Sequence, residues 1–141
     1  MILLKKHEPL GNFLRVVWGA MPRTYLAING WSLFIWGAFL VTPIKSFGTS
    51  TTFSVMEQIA PEYVWGSFTL LLGIVTFLSL DQSIKRRLLI CILISLTWAL
   101  VATSLIIANP LSTATPVYAL IFFPFSILNL IQHVGLWTRK L

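Results

Sequence analysis

Residues 88–108 read LLICILISLTWALVATSLIIA, a run without a charged side chain that begins directly after Lys85, Arg86 and Arg87. A helix rises about 1.5 Å per residue, so a run of this length matches the roughly 30 Å hydrocarbon core of a bilayer. Its Leu, Ile and Val residues favour insertion into the membrane by about 4 to 7 kcal/mol. The run therefore predicts a transmembrane helix, and the other segments are placed relative to it.

The composition excludes a water-soluble domain. Hydrophobic residues make up 57% of the chain and charged residues only 10%, whereas a soluble domain carries about 25% charged residues. Three further apolar runs, at about residues 25–42, 64–80 and 116–135, bring the number of predicted transmembrane helices to four. The sequence predicts an all-α, polytopic membrane protein that forms a single membrane domain over residues 1–141.

The basic residues indicate how the chain is oriented. They flank the apolar runs and form no stripe on a soluble face, which predicts a lipid bilayer and not a nucleic acid as the partner. Only Lys45 falls on one side of the predicted membrane. The basic residues on the other side are Lys5, Lys6, Arg15, Arg23, Lys85, Arg86, Arg87, Arg139 and Lys140. Because basic loops stay inside, we expect both termini in the cytoplasm, with the chain in the inner membrane of a bacterium.

The segment at about residues 9–22 has the pattern of an amphipathic helix. Its apolar residues recur at helical spacing on one face, and Pro22 is expected to end or kink the helix. The pattern predicts a short helix that lies in the cytoplasmic interface, and the alternative is a helix that continues into the first span. The residues expected to face the lipid are Leu10, Phe13, Leu14, Val17 and Trp18.

Small residues predict where helices pack closely. Gly30 and Gly37 lie seven residues apart in the first span, and Gly66 and Gly73 have the same spacing in the second. Glycines let two helix backbones approach, so the matched spacing predicts that the first two spans pack together. A similar face is predicted for the third span, with the small residues Ser95, Ala99 and Ala102.

The last span carries the one polar stripe of the sequence, beyond a proline at position 124 that is expected to kink the helix. Asn29 of the first span lies at nearly the same depth as the cytoplasmic end of this stripe. A buried amide in lipid seeks a polar partner, so we expect the first and last spans to touch at this level. We call these residues the polar layer, which comprises Asn29, Ser126, Asn129, Gln132 and His133.

No residues converge in the pattern of a catalytic, cofactor or metal site, and the sequence predicts none of these. Cys91 is the only cysteine, so an intrachain disulfide is excluded. The predicted spans contain no Asp, Glu, Lys or Arg, whereas a coupled transporter usually holds an ionisable residue inside a span. A small multidrug transporter would need a glutamate in the first span, and residues 25–42 have none.

Residues 60–66, APEYVWG, and residues 70–73, LLLG, resemble a pattern of Pro, Trp-Gly and Gly in small membrane proteins of tailed bacteriophages. The resemblance implies a holin-like pore that assembles from several copies. The alternative is an accessory or modulatory subunit that packs against a larger membrane protein. A pore predicts that the polar stripe faces a shared lumen, whereas a packing subunit predicts that it lies inside one bundle.

Overall fold

A computed structural model describes residues 8–43, 47 and 50–138, and for residues 8–20 it describes the helical backbone alone. A 3₁₀ turn, Thr51–Phe53, precedes the second helix, and a π-helical turn, Tyr118–Phe122, joins the last two. No strand occurs in these ranges. The helices are α1 (Glu8–Val41), α2 (Ser54–Ile59), α3 (Glu62–Ser79), α4 (Ile84–Ala108), α5 (Ala114–Val117) and α6 (Phe123–Thr138).

The described part of the chain has four helical segments long and apolar enough to cross a membrane, which confirms the predicted all-α, four-span fold. These segments are Met21–Val41, Glu62–Ser79, Ile84–Ala108 and Ala114–Thr138. We call the end of the bundle where residues 80–83 join α3 to α4 the turn end. The opposite end, where residues 51–59 lie, is the loop end.

Helix α1 runs through Pro22 without interruption. The predicted end at Pro22 is therefore not observed, and the segment at residues 9–22 and the first span form one helix, which is the alternative given above. A proline removes one backbone hydrogen bond from a helix, and this loss does not by itself end the helix. The interfacial position stays a prediction, because the described residues do not include the side chains that would carry it: Leu10, Phe13, Leu14, Val17 and Trp18.

Helices α1 and α3 form the most closely packed pair. A methyl group on Gly37 would overlap the backbone of Leu70, and one on Gly73 would lie 2.8 Å from the backbone nitrogen of Phe34. Gly30 and Gly66 face the same interface, where a methyl group would meet Thr76 and Leu40 at less than 3.0 Å. The two backbones are in direct contact at the glycines that the spacing singled out.

Helix α4 forms the second pair with α6 and contributes more residues to the central core than any other described helix. Ser95 and Ala102 are buried on α4, while Ala99 is half-buried. The core between the pairs includes Leu26 and Leu33 of α1 and Ile94 and Val101 of α4.

The loop end is closed by residues 51–59, which pack on the protein core. Phe53 is half-buried and Met56 is fully buried, and the Trp65 Nε1–H donates a hydrogen bond to the Met56 carbonyl at 3.0 Å. The α2 segment therefore packs on α4 and is joined to the start of α3 by the Trp65 hydrogen bond.

Neither α4 nor the last span has a side-chain hydrogen bond at its N-cap position. Ser83 occupies the N-cap position of α4, but its side chain makes no capping hydrogen bond. The last span begins at Ala114, and the buried Thr115 hydroxyl donates to the Asn109 carbonyl at 2.7 Å. Pro124 follows directly on the π-helical turn, so the change in helical register lies next to the hydrogen bond that the proline removes.

Candidate functional site

The polar stripe of the last span faces the interior of the bundle. Ser126 and Asn129 are each 1% exposed, and His133 is completely buried. Gln132 lies beside them, half-buried, with its Oε1 atom shielded from solvent. Asn29 of α1 is also 1% exposed, so the structure buries both parts of the predicted polar layer within one chain.

His133 connects α6 to α4. Its Nδ1 atom lies 3.0 Å from the Asn129 carbonyl oxygen and 3.4 Å from the Sγ atom of Cys91. A carbonyl accepts hydrogen bonds only, so this contact favours the tautomer with the proton on Nδ1. In that tautomer the Nε2 atom is an acceptor, and it is buried without a partner.

Asn29 is positioned by its own helix. Its Nδ2 atom donates to the Tyr25 carbonyl at 3.0 Å, one turn back along α1, and its Oδ1 atom has no partner. The ring of Tyr25 meets Phe125 edge-on, with the ring centroids 4.9 Å apart. The predicted contact between the first and last spans is therefore aromatic at this point, and the amide of Asn29 bonds within α1.

Arg87 also lies at this site, although the sequence indicated for it only a role in membrane orientation. Arg87 is 8% exposed and its Nε atom is buried without a partner, whereas its neighbours Lys85 and Arg86 are exposed. Arg87 is within electrostatic range of His133 on α6. The signal for its burial was present in the helical spacing, because residues 87, 91 and 95 lie on one face of α4.

The buried polar side chains of the bundle have more hydrogen-bond donors and acceptors than they use. Leaving a buried donor or acceptor unpaired costs about 1 to 3 kcal/mol. These atoms include both donors and acceptors. The unpartnered atoms are Asn29 Oδ1, Arg87 Nε, Ser95 Oγ, Asn129 Nδ2 and Oδ1, Gln132 Oε1 and His133 Nε2.

An aromatic cavity of about 380 Å³ lies farther along the bundle, between α1, α4 and the π-helical turn. Trp98 stacks on Phe122 with ring centroids 4.8 Å apart, and Trp36 lies against both Trp98 and Tyr118. Trp36 thus packs in the interior, while Trp31 is 56% exposed, stacks on Phe34 of its own helix and meets Phe77 of α3 edge-on. The cavity wall is mostly aromatic and apolar, and Ser32 also lines it.

Within the ranges that the structure describes, no three His, Cys, Asp or Glu residues lie together where a metal ion could be held. Comparisons with models of protein families, with curated proteins and with solved structures find no match. The resemblance to bacteriophage membrane proteins therefore stays a prediction from residues 60–73.

Proposed function

We propose that this chain is an accessory or modulatory subunit that packs against a larger membrane protein. The observation that supports the proposal is the direction of the polar stripe, since Ser126, Asn129 and His133 point into the bundle of a single chain. A pore built from several copies needs polar side chains on the outer faces of its spans. Here the outer face of the last span carries Leu120 and Ile131, which are 73% and 60% exposed.

The last span supplies the surface that we assign to the partner. In the apolar 18-residue stretch of each span, only 17% of the residues of Ala114–Thr138 are buried inside the chain, against 56% of those of Ile84–Ala108. Gly135 lies on its exposed side, and a methyl group placed there would meet nothing within 4 Å. An exposed glycine allows the backbone of another transmembrane helix to come close.

We place the chain in the inner membrane of a bacterium, with both termini in the cytoplasm. The basic residues support this orientation, because Arg23, Lys85, Arg86 and Arg87 all lie at the turn end. The turn end would then face the cytoplasm, and the loop end with residues 51–59 would face the outside.

Thiol crosslinking separates a packing subunit from a pore. His133→Cys adds one thiol opposite the native Cys91, and a short bifunctional thiol reagent should join the two within one chain. A second pair, Tyr25→Cys with Phe125→Cys in a Cys91→Ser background, tests whether α1 and α6 of the same chain are in contact. We expect crosslinked monomers for both pairs, with Ile131→Cys in the Cys91→Ser background as the lipid-facing control.

The pore hypothesis makes the opposite prediction in the same experiment. A ladder of crosslinked oligomers through the interior pairs, together with release of a trapped dye from vesicles that contain the pure protein, would establish a holin-like pore. Retention of the dye with monomeric crosslinks supports the accessory subunit.

A further inference from the structure

Arg87 is a buried cation at the turn end that has no partner for its Nε–H group. Its side chain is 8% exposed, and the Nε atom is shielded from solvent. Removing a guanidinium group from water is costly unless an anion or hydrogen-bond acceptors compensate for it. The burial of Arg87 therefore calls for a compensating group.

The charges around Arg87 favour an external anion. Arg23 of α1 and His133 of α6 both lie within electrostatic range of Arg87, so cationic or titratable groups from three helices face one region. Asp81 is also within range, but it is exposed, and no carboxylate of the described residues forms a salt bridge with Arg87. The positive charge at this point is not neutralised by the described part of the chain.

The start of α4 adds to the same positive region. The N-terminus of a helix carries about half a positive charge and presents unpaired backbone N–H groups. Ser83 at the N-cap makes no side-chain hydrogen bond to these groups. Arg87 lies within the first turns of the helix, so its guanidinium and the helix N-terminus attract the same anion.

The position of Arg87 along the span indicates which anion is available. It is the fourth residue of the span Ile84–Ala108, about 5 Å from the helix start along the axis. This depth is the boundary between the hydrocarbon core and the headgroups, where lipid phosphates lie, and basic pockets between spans bind such headgroups. We propose that Arg87, between α1, α4 and α6 at the turn end, binds the phosphate of a phospholipid headgroup. This site is independent of the protein partner proposed above.

Adjacent arginines provide a matched test. Arg86 is exposed and donates to Gln82 Oε1 at 2.8 Å, so Arg86→Gln removes the same charge as Arg87→Gln without touching the buried position. The full chain would be purified in detergent, stripped of lipid and titrated with phosphatidylglycerol while the bound lipid is counted by native mass spectrometry. We expect one tightly held lipid per chain. Its affinity should fall about tenfold or more in Arg87→Gln and change less than about twofold in Arg86→Gln.

Two further probes distinguish the source of the phosphate. Diacylglycerol has the tails without the phosphate, and inorganic phosphate is the anion without the tails. The proposal expects weak binding of both. If diacylglycerol binds as tightly as phosphatidylglycerol, the phosphate has no role in binding and the proposal is overturned. If inorganic phosphate binds as tightly, the ligand is a soluble oxyanion and not a lipid.

Measurements of the unfolding temperature distinguish a variant that loses lipid binding from a variant that fails to fold. In lipid-free detergent, Arg87→Gln should unfold at the same temperature as the unaltered chain or higher, because it removes an uncompensated buried charge. Added phosphatidylglycerol should raise the unfolding temperature of the unaltered chain and of Arg86→Gln, but not that of Arg87→Gln. Arg87→Lys keeps the positive charge but lacks the planar guanidinium group, so it should bind phosphatidylglycerol with intermediate affinity. An equal loss of binding in Arg86→Gln and Arg87→Gln would overturn the proposal.

Discussion

The Sγ atom of Cys91 lies 3.4 Å from the Nδ1 atom of His133, across the interface between α4 and α6. Both side chains are buried, and the histidine ring is held by the Asn129 carbonyl one turn back along α6. A contact between polar groups on two spans fixes both the register and the rotation of the helices. This pair is one of the contacts that orient the third and fourth spans.

The first prediction concerns the coupling between these two residues. His133→Ala should destabilise the fold by about 2 to 4 kcal/mol, because it leaves a cavity in a packed interior. Cys91→Ala should cost about 1 kcal/mol, since a smaller group is removed. A double-mutant cycle, measured by unfolding in mixed detergent, should give a coupling near 0.6 kcal/mol. Additive effects of the two substitutions would contradict a direct contact.

The second prediction concerns the glycine contacts between α1 and α3. Gly37→Ala should destabilise the protein by about 1 to 3 kcal/mol, because the new methyl group must displace the backbone of Leu70. Gly135→Ala is the matched control, with nothing within 4 Å of the added group. Since alanine is the better helix former by up to about 1 kcal/mol, this control should be neutral or stabilising. Equal effects at the two positions would argue against close packing of α1 on α3.

The third prediction concerns closure of the loop end. Trp65→Phe removes one of the two donors to the Met56 carbonyl, which still accepts from the Ala60 N–H, and should cost about 0.5 to 1.5 kcal/mol for the lost hydrogen bond. Limited proteolysis should then cut residues 51–59 faster than in the unaltered chain. Trp31→Phe, at a position 56% exposed, should leave the cleavage rate unchanged. Protection that persists in Trp65→Phe would show that the segment is held by other contacts.

The fourth prediction concerns orientation, which follows from the basic residues at the turn end. Reporter fusions after Leu141 and within residues 81–87 should both report the cytoplasm, and a fusion at Thr51 should report the opposite side. A periplasmic signal from the fusion after Leu141 would exclude the proposed topology.

The elements that could be predicted are those with a local signal. The four spans follow from runs of apolar residues, and the contact of α1 with α3 from the matched spacing of Gly30, Gly37, Gly66 and Gly73. The stripe that contains Asn129 and His133 follows from helical periodicity. By contrast, Pro22 was an ambiguous signal, because a proline can end a helix or be carried within it, and only the continuous α1 decides between the two.

The sequence by itself determined that the chain enters a membrane and how many times it crosses, because partition into lipid depends on the composition of each window of about 20 residues. Only the tertiary structure decided that the polar stripe points inward, that Cys91 meets His133 and that Arg87 is buried beside them. These outcomes depend on which faces of distant helices oppose one another. A hydropathy pattern does not specify that choice, since lipid tails and a neighbouring helix are equally apolar.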